Sequence, residues 1–322
     1  MAARKAPDGT TQDRELFSLE ATPGEPLKTT LDTKTQRAAE AALAPFSQRS
    51  ALVAIRISDG AILAAANKTD LNLAFTAQVP PGSTFKTVTA LALLENGKVT
   101  PDQIVNCPKF LNVNGRQIQN SGQFELGPVP FAVDFYKSCN TAFASLAPQL
   151  GANGLAQAGA SVGLGQQWDL GIDVFSGKVS QGGDAAEQAA AAFGQGTTIV
   201  SPVALAAVAA AIARGQWKQP YLVADVPTRP AAAGPALKQS TVDSLRAMMR
   251  QVVTDGTATQ INDVAGVSGK TGTAEYVTGD PDKTHAWFIG WRGDLAFAVF
   301  VEQGGHPQDT ALPICESFLK AL

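Results

Sequence analysis

The chain has 322 residues, of which 45% are hydrophobic and 16% are charged, and its formal net charge is −3. This composition excludes a disordered chain. The charge is nearly balanced and forms no long like-charge runs, which excludes a nucleic-acid-binding surface and a polybasic patch for binding membranes. The chain has only three cysteines, which excludes a disulfide scaffold. Because it also has no C-x-x-C pair and only two histidines, no metal site is predicted. The longest apolar run, residues 203–213, is too short for a transmembrane helix, and the N-terminus has no secretory signal.

The N-terminal part of the chain is predicted to hold a tail, a helix and a hairpin. Residues 1–25 are polar and contain several prolines and glycines, which indicates a linker or tail. A helix is predicted after Asp32, because DTKTQRAAEAAL combines a capping residue with good helix formers. Residues 50–66 hold two apolar strands around Asp59-Gly60, a pair that favours a type I′ hairpin turn.

The rest of the chain is predicted to be helical first and then mixed. Residues 142–215 are rich in alanine, leucine and glycine with helical spacing. A further helix after Thr241 precedes three strand-like runs, and the last stretch, ALPICESFLKAL, is again helical. This order predicts an α+β fold with a sheet lobe at about 26–82 and 240–322 and an inserted all-helical lobe at about 83–239.

The run PPGSTFK, residues 80–86, places a serine at the predicted N-terminus of a helix. Lys86 follows Ser83 by three residues, so both side chains lie on one face of that helix. A serine hydroxyl is a weak nucleophile, and a buried lysine with a lowered pKa can accept its proton. A capped helix with a solvated lysine has the same pattern, so this motif alone does not identify an active site.

A second run, SCN at residues 138–140, precedes another predicted helix. Ser138 is a candidate for relaying a proton to a leaving group, and Asn140 for holding a substrate amide or the lysine. An N-cap formed by either side chain explains this run equally simply.

A third run, SGKTGTAE at residues 268–275, resembles a nucleotide-binding loop at first sight. That motif requires a glycine where this chain has Val264, and the run continues into a strand pattern instead of a helix. Lys270 and two threonine hydroxyls on an edge strand suit recognition of a carboxylate. Gly272 inside a strand indicates the close approach of another backbone or a ligand, although an exposed turn is the alternative.

The three runs, in this order, resemble the S-x-x-K, S-x-N and K-T-G motifs in the transpeptidase domain of a penicillin-binding protein, of the monofunctional class B type. Their separations of 55 and 132 residues fit such a domain better than a compact β-lactamase. The segments LKTTLDTKTQRAAEAAL, ALVAIRISDGAILAAAN and AWFIGW also resemble this family. The resemblance implies a transpeptidase domain at 26–322, with a five-stranded antiparallel sheet flanked by helices and an inserted helical lobe.

The resemblance also implies a role for each motif residue. Ser83 is expected to be the acylated nucleophile and Lys86 its general base, with Ser138 and Asn140 on the opposite wall of the cleft. Ser138 is expected to transfer a proton to the leaving amine, and the backbone N–H groups of Ser83 and Thr273 are expected to form an oxyanion hole. The expected substrate-binding residues are Lys270, Thr271, Gly272 and Thr273.

The implied reaction is acyl transfer without a metal or organic cofactor. A D-Ala-D-Ala stem peptide of peptidoglycan acylates the serine, D-alanine leaves, and an amine of a neighbouring peptide attacks. β-Lactam antibiotics are implied as covalent inhibitors. The resemblance further implies the extracytoplasmic face of the bacterial membrane, and a full-length protein with a membrane anchor, an N-terminal non-catalytic domain and cell-wall synthesis partners.

Two features remain open at this point. In an oxidising compartment Cys107 and Cys139 can form a disulfide that braces the loop of Ser138, and two separate buried thiols are the alternative. A D,D-carboxypeptidase or a β-lactamase on the same scaffold would need to position a water, for which Asp184 and Glu187 are candidates. A non-catalytic β-lactam sensor would keep the serine and lysine but be joined to a membrane signalling segment.

Overall fold

The computed structural model describes residues 2–5, 7–14, 17–19, 23–223, 232–276 and 283–322. Within these residues no helix is both long enough and apolar enough to span a bilayer. The α-helices are α1 Thr33–Leu43, α2 Leu73–Thr76, α3 Lys86–Glu95, α4 Phe131–Lys137, α5 Asn140–Leu146, α6 Gly154–Ser161, α7 Ala185–Ala191, α8 Pro202–Arg214, α9 Gln239–Thr254 and α10 Ala311–Lys320. The strands are β1 Ala2–Lys5, β2 Thr11–Arg14, β3 Ser50–Arg56, β4 Ile62–Asn67, β5 Ile104–Cys107, β6 Phe110–Val113, β7 Arg116–Gln119, β8 Gly127–Pro130, β9 Ser268–Glu275, β10 Thr284–Arg292 and β11 Leu295–Val301.

The central sheet has five antiparallel strands in the order β4-β3-β11-β10-β9. Its strands come from both ends of the chain, as the sequence predicts, and the α+β fold class is confirmed. The three inner strands are buried along almost their whole length, which requires cover on both faces. Helices α1 and α10 pack on each other and on the sheet, and α8 packs separately on β3, β10 and β11.

Helix α8 is buried on every side from Pro202 to Ile212, because its sequence is apolar all round. Its many alanines let the neighbouring elements approach closely. Ser201 caps its N-terminus by accepting a hydrogen bond from the Ala204 N–H at 3.2 Å, and Gly215 ends it in a left-handed conformation. This helix forms the packed centre between the sheet and the rest of the chain.

Two local predictions differ from the structure. Strands β3 and β4 do pair, but the turn between them is not type I′, because positive φ occurs at Gly60 and not at Asp59. The Gly60 N–H instead donates to the Arg56 carbonyl, which closes a longer turn. The inserted part also holds four short strands, β5 to β8, that the prediction of an all-helical lobe does not include. Each has only four residues, which is too short for a period to be recognised in the sequence.

The predicted tail contains a two-stranded ribbon in which β1 pairs with β2. Residues 1, 6, 15–16 and 20–22 of that tail lie outside the described residues. The boundary near residue 26 and the limits of the two lobes stay predictions.

Candidate active site

Ser83 lies in a 3₁₀ turn, Gly82–Phe85, that leads directly into α3. Gly82 has φ +53°, and a Cβ at this position would lie 2.2 Å from the Thr273 carbonyl oxygen, so only glycine fits between the turn and β9. The Gly82 N–H donates to the Gly194 carbonyl at 3.1 Å. The turn is therefore held between the edge strand of the sheet and the loop at residue 194.

Lys86 begins α3 and is completely buried. Its Nζ lies 2.9 Å from Ser83 Oγ, 2.6 Å from Asn140 Oδ1, 2.8 Å from the Ser138 carbonyl oxygen and 3.1 Å from Ser138 Oγ. Burial holds the pKa of Lys86 well below its usual range, and the neighbouring Lys270 cation lowers it further. A lysine in this state can be a neutral amine next to the serine hydroxyl.

Lys270 on β9 is also completely buried. Its Nζ lies 2.9 Å from Ser138 Oγ and 3.3 Å from the Thr271 carbonyl oxygen. Burial lowers the pKa of Lys270 to about 7. Ser138 Oγ thus connects the two lysines, and the three sequence motifs meet around this one hydroxyl.

We call the β9 residues 268–275 the sheet wall of the cleft. In this wall Gly272 is confirmed as a point of close approach, because a Cβ there would lie 2.6 Å from Thr84 Cγ2 and 3.0 Å from the Pro81 carbonyl oxygen. The Thr271 hydroxyl lies 2.6 Å from the hydroxyl of Thr257. The antiparallel pairing of β9 with β10 determines the position of each residue in this wall, and it places Lys270 opposite Ile289.

We call residues 138–140 the helical wall. Ser138 has φ +67°, a left-handed conformation at the C-terminus of α4. A disulfide joins Cys139 to Cys107, with the two Cα atoms 6.2 Å apart. The disulfide links the middle residue of the SCN run to β5, so this wall is attached to the short ribbons of the inserted part.

Asn120 supports the helical wall from a fully buried position. Its Oδ1 accepts hydrogen bonds from the N–H groups of Asn140 at 2.8 Å and Thr141 at 3.2 Å. Its Nδ2 donates to the carbonyls of Pro108 at 3.1 Å and Phe124 at 2.8 Å. Asn120 is not recognisable from the sequence, because it lies outside every motif and an isolated asparagine in a turn-rich segment carries no distinguishing signal.

The two walls and the serine turn enclose a cleft of about 1050 Å³. Ser83, Ser138, Asn140, Thr271 and Thr273 all line it. Apolar side chains such as Phe124, Leu126 and Phe193 also line it, and the other polar lining residues include Arg116, Gln117, Gln119, Lys137, Gln195, Thr257, Glu275, His306 and Gln308. The cleft therefore offers both hydrogen-bonding groups and apolar surface to a bound peptide.

The acidic candidates for water activation lie elsewhere in the described part of the chain. Asp184 caps α7 by accepting from the Glu187 N–H at 2.9 Å. The Glu187 carboxylate accepts hydrogen bonds from Ser180 and Thr197, and neither acid lines the cleft. In the structure these two acids therefore stabilise α7 and the loop beside it, and they do not contact Ser83.

Metal-ligating side chains come together at one place among the described residues. The sulfur atoms of Cys107 and Cys139 and a carboxylate oxygen of Asp134 all lie within 4.8 Å of one another. Because the two sulfurs are bonded to each other, only the carboxylate is free to coordinate, and this grouping does not make a metal site.

Comparison with known proteins agrees with this geometry. Residues 50–321 match the family model described as the penicillin-binding protein transpeptidase domain. The peptidoglycan D,D-transpeptidase PbpA of Mycolicibacterium smegmatis is 33% identical over 258 residues, covering 73% of this chain and 52% of that protein. PbpA of Mycobacterium tuberculosis is 32% identical over 254 residues, covering 72% and 52%. The chain spans about half the length of these curated relatives.

Solved structures show the same similarity. The ceftriaxone acyl-enzyme complex of penicillin-binding protein A from M. tuberculosis superposes with a TM-score of 0.82 at 26% identity, covering 92% of this chain and 79% of that one. Pseudomonas aeruginosa PBP2 in complex with WCK 5153 gives a TM-score of 0.82 at 27% identity, covering 93% and 76%. A family match over most of the chain and a shared fold lead to one conclusion. The chain belongs to the penicillin-binding protein transpeptidase domain family.

Proposed function

We propose that this protein is a serine-type D,D-transpeptidase that cross-links peptidoglycan stem peptides and is acylated by β-lactams at Ser83. One observation carries the proposal: the buried Nζ of Lys86 lies 2.9 Å from Ser83 Oγ, at the base of an open cleft. The names of the relatives and the acyl-enzyme structure of a neighbour support the same reaction.

In the acylation half of the reaction, Ser83 Oγ attacks the carbonyl carbon of the penultimate D-alanine while its proton passes to the neutral amine of Lys86. The negative charge that forms on the carbonyl oxygen is stabilised by the backbone N–H groups of Ser83 and Thr273. The C–N bond then breaks, and Ser138 delivers a proton to the departing amine. Ser138 suits this step because its hydroxyl lies within hydrogen-bond distance of both lysines.

Deacylation repeats these steps in reverse with a different amine. The amino group of a neighbouring stem peptide attacks the ester, its proton passes through Ser138 and Lys86, and Ser83 regains its hydroxyl. The second product is the cross-linked peptide. In this scheme Asn140 holds Lys86 in place through the 2.6 Å contact of its side-chain oxygen.

Substrate recognition is proposed to use the sheet wall. Lys270, Thr271 and Thr273 bind the terminal carboxylate of the stem peptide or of a β-lactam, with Gly272 giving the close approach of β9. A bound carboxylate favours the charged form of Lys270, whose pKa is lowered to about 7 by burial in the free protein. The ion pair that forms holds the substrate carboxylate against the sheet wall while the oxyanion develops.

The wider setting is also a proposal. A disulfide between Cys107 and Cys139 supports an oxidising location on the extracytoplasmic face of the membrane. A membrane anchor and cell-wall synthesis partners of the full-length protein follow from the family resemblance.

The test is a time course of intact-mass spectrometry with benzylpenicillin. We expect the wild-type protein to gain one penicilloyl adduct that persists for many minutes, and the Ser83→Ala variant to gain none. An adduct on Ser83→Ala would overturn the nucleophile assignment. An adduct that is lost within seconds would favour a β-lactamase.

A second assay separates the two remaining reactions. With a D-Ala-D-Ala pentapeptide and an added amine acceptor, a transpeptidase forms the new amide, whereas a carboxypeptidase releases D-alanine and leaves the acceptor unchanged. Release of D-alanine without amide formation would contradict the transpeptidase proposal.

A further inference from the structure

Asp134 on α4 is a buried carboxylate that the reaction scheme above does not use. Its side chain is completely buried, and neither carboxylate oxygen has a hydrogen-bond partner within the described residues. One of its carboxylate oxygens lies within 4.8 Å of both sulfur atoms of the Cys107–Cys139 disulfide. A buried carboxylate without hydrogen bonds is unfavourable for folding, so a neutral side chain of the same shape would be the more stable choice.

The surroundings of Asp134 connect it to the lysines of the active site. Phe131 and Phe135 flank it on α4, and both rings pack against Phe143, with centroid distances of 5.3 and 6.4 Å. Lys86 Nζ lies 5.6 Å from the Phe143 ring centroid, and Lys270 Nζ lies 5.8 Å from that of Phe135. Charges beside an aromatic cluster of this kind interact strongly, because the medium between them is poorly polarisable.

No carboxylate among the described residues makes a hydrogen bond with Lys86 Nζ. Its four polar contacts are two hydroxyls, one carbonyl and one amide oxygen, and its charged neighbour Lys270 repels an ammonium. Asp134 is the carboxylate that acts on Lys86 in the opposite sense. Burial raises the pKa of Asp134 to about 7, and the attraction of Lys86 opposes this rise.

Among the described residues, strands β5 and β8 and the buried face of α9 pack on α4 without bringing a further charge to Asp134. Strands β5 and β8 carry no ionisable side chain apart from the disulfide-bonded Cys107. The buried residues of α9 are apolar except for one threonine.

The Asp134 carboxylate lies within 4.8 Å of the Cys139 sulfur. The two sequence neighbours of Cys139, Ser138 and Asn140, both contact Lys86 Nζ. Lys86 is therefore the charged group that acts on Asp134 across this residue.

We propose that Asp134 is a positioning residue for the general base: its carboxylate stabilises the Lys86 ammonium that forms when Ser83 gives up its proton. This inference rests on the proposed function, because it assigns Lys86 as the base. The proton moves from Ser83 Oγ to Lys86 Nζ as the serine oxygen bonds to the acyl carbon, and Asp134 gains and loses no bond. Its negative charge offsets the repulsion between the new ammonium and Lys270.

The experiment compares the pH dependence of benzylpenicillin acylation in wild type and Asp134→Asn, which keeps the shape and removes the charge. Without the carboxylate, the ammonium of Lys86 is less stable, so the acid limb of the profile moves to lower pH. We expect the plateau rate constant to fall about tenfold, since the base becomes weaker. Asp243→Asn on the exposed surface of α9 is the matched control, and it keeps the wild-type profile.

The outcomes distinguish this inference from the proposed function. A wild-type protein that benzylpenicillin does not acylate contradicts the proposed function itself. A wild-type protein that is acylated, together with an Asp134→Asn profile whose acid limb does not move, overturns the role of Asp134. A uniform loss of rate with an unmoved limb has the same meaning, because it is what a purely structural residue would give.

A second measurement covers the case in which Asp134→Asn does not fold. Carbon-13 NMR of carboxyl-labelled aspartate follows the Asp134 resonance, which we expect to titrate near pH 7 and apart from the exposed aspartates. In Lys86→Met the titration moves to higher pH, because the coupling between the two groups is reciprocal. An identical titration in both proteins overturns the proposal.

Discussion

The sheet wall and the helical wall of the cleft both carry residues of the sequence motifs, but different contacts hold them. In the sheet wall, Lys270, Thr271 and Thr273 are placed by a continuous antiparallel ladder with β10. In the helical wall, Ser138 has a left-handed backbone, and it is held by a disulfide at the next residue and by the buried side chain of Asn120. A ladder distributes the constraint over many backbone hydrogen bonds, whereas the helical wall depends on a few specific contacts.

The two walls therefore differ in the kind of substitution that would disrupt them. The sheet wall tolerates the loss of a single side chain without moving, and it is sensitive mainly to steric contacts that displace the whole strand. The helical wall is sensitive to single side chains, because each carries bonds that no neighbour can replace. Two experiments test this contrast, and a third concerns the charge that the sheet wall carries.

The largest effect is expected from Gly272→Val. A Cβ at this position already lies 2.6 Å from Thr84 Cγ2 and 3.0 Å from the Pro81 carbonyl oxygen, so the branched side chain must push β9 away from the serine turn. Displacement of the reacting groups by about 1 Å lowers rates about 100-fold, and we expect this fall in the acylation rate constant. Stopped-flow measurement with a fluorescent penicillin checks it.

The control for this variant is Gly24→Val, where a Cβ meets no atom within 4 Å. It is expected to retain the wild-type rate. If Gly272→Val also retained that rate, the sheet wall would not depend on the close approach of β9 to the turn.

An intermediate effect is expected from Asn120→Ala. The change leaves the N–H groups of Asn140 and Thr141 and the carbonyls of Pro108 and Phe124 without this partner. Because unsatisfied buried polar groups are unfavourable, we expect the free energy of unfolding to fall by about 2 kcal/mol. Urea denaturation monitored by tryptophan fluorescence measures this loss, and penicillin acylation is expected to slow as the helical wall loosens.

Asn106→Ala provides the comparison for that result, since Asn106 is an exposed residue of β5. Equal stabilities of the two variants would show that Asn120 does not hold the helical wall.

The smallest effect concerns the charge of the sheet wall. Burial lowers the pKa of Lys270 to about 7 in the folded protein, from the ordinary value of 10.5. Between these two values the unfolded chain binds a proton that the folded protein has released, so the unfolding free energy rises with pH. For Lys270 this contribution is about 1 kcal/mol between pH 7 and pH 8, and it levels off below pH 7.

The measurement is the difference between wild type and Lys270→Met in denaturant unfolding at pH 7 and pH 8. Lys86 contributes in the same direction because its pKa is also lowered, and part of that lowering comes from Lys270, so the variant loses this part as well. Lys98→Met, at an exposed position after α3, keeps the wild-type pH dependence. An unchanged pH dependence in Lys270→Met would mean that Lys270 is charged in the folded protein at both pH values.

The sequence predicts correctly those contacts that depend on residues close together in the chain. Ser83 and Lys86 share one helical turn, so their contact follows from the chain itself, and Gly272 marks a close approach because a strand interior rarely holds glycine without a steric reason. The strands β9, β10 and β11 are recognisable because they are long and apolar. The short strands β5 to β8 are not predicted, because four residues are too few to show a strand period. The turn at Gly60 is predicted wrongly, because the sequence does not specify the backbone angle of Asp59.

The composition of the chain and three short motifs are enough to indicate the family and the α+β fold, and they supply the candidate site residues. Only the tertiary structure decides how those motifs meet at the Ser138 hydroxyl, because their separations of 55 and 132 residues contain no local constraint on distance. It also decides the parts played by Asn120 and Asp134. Their chemistry depends on being buried, and burial is a property of the folded chain and not of any sequence pattern around them.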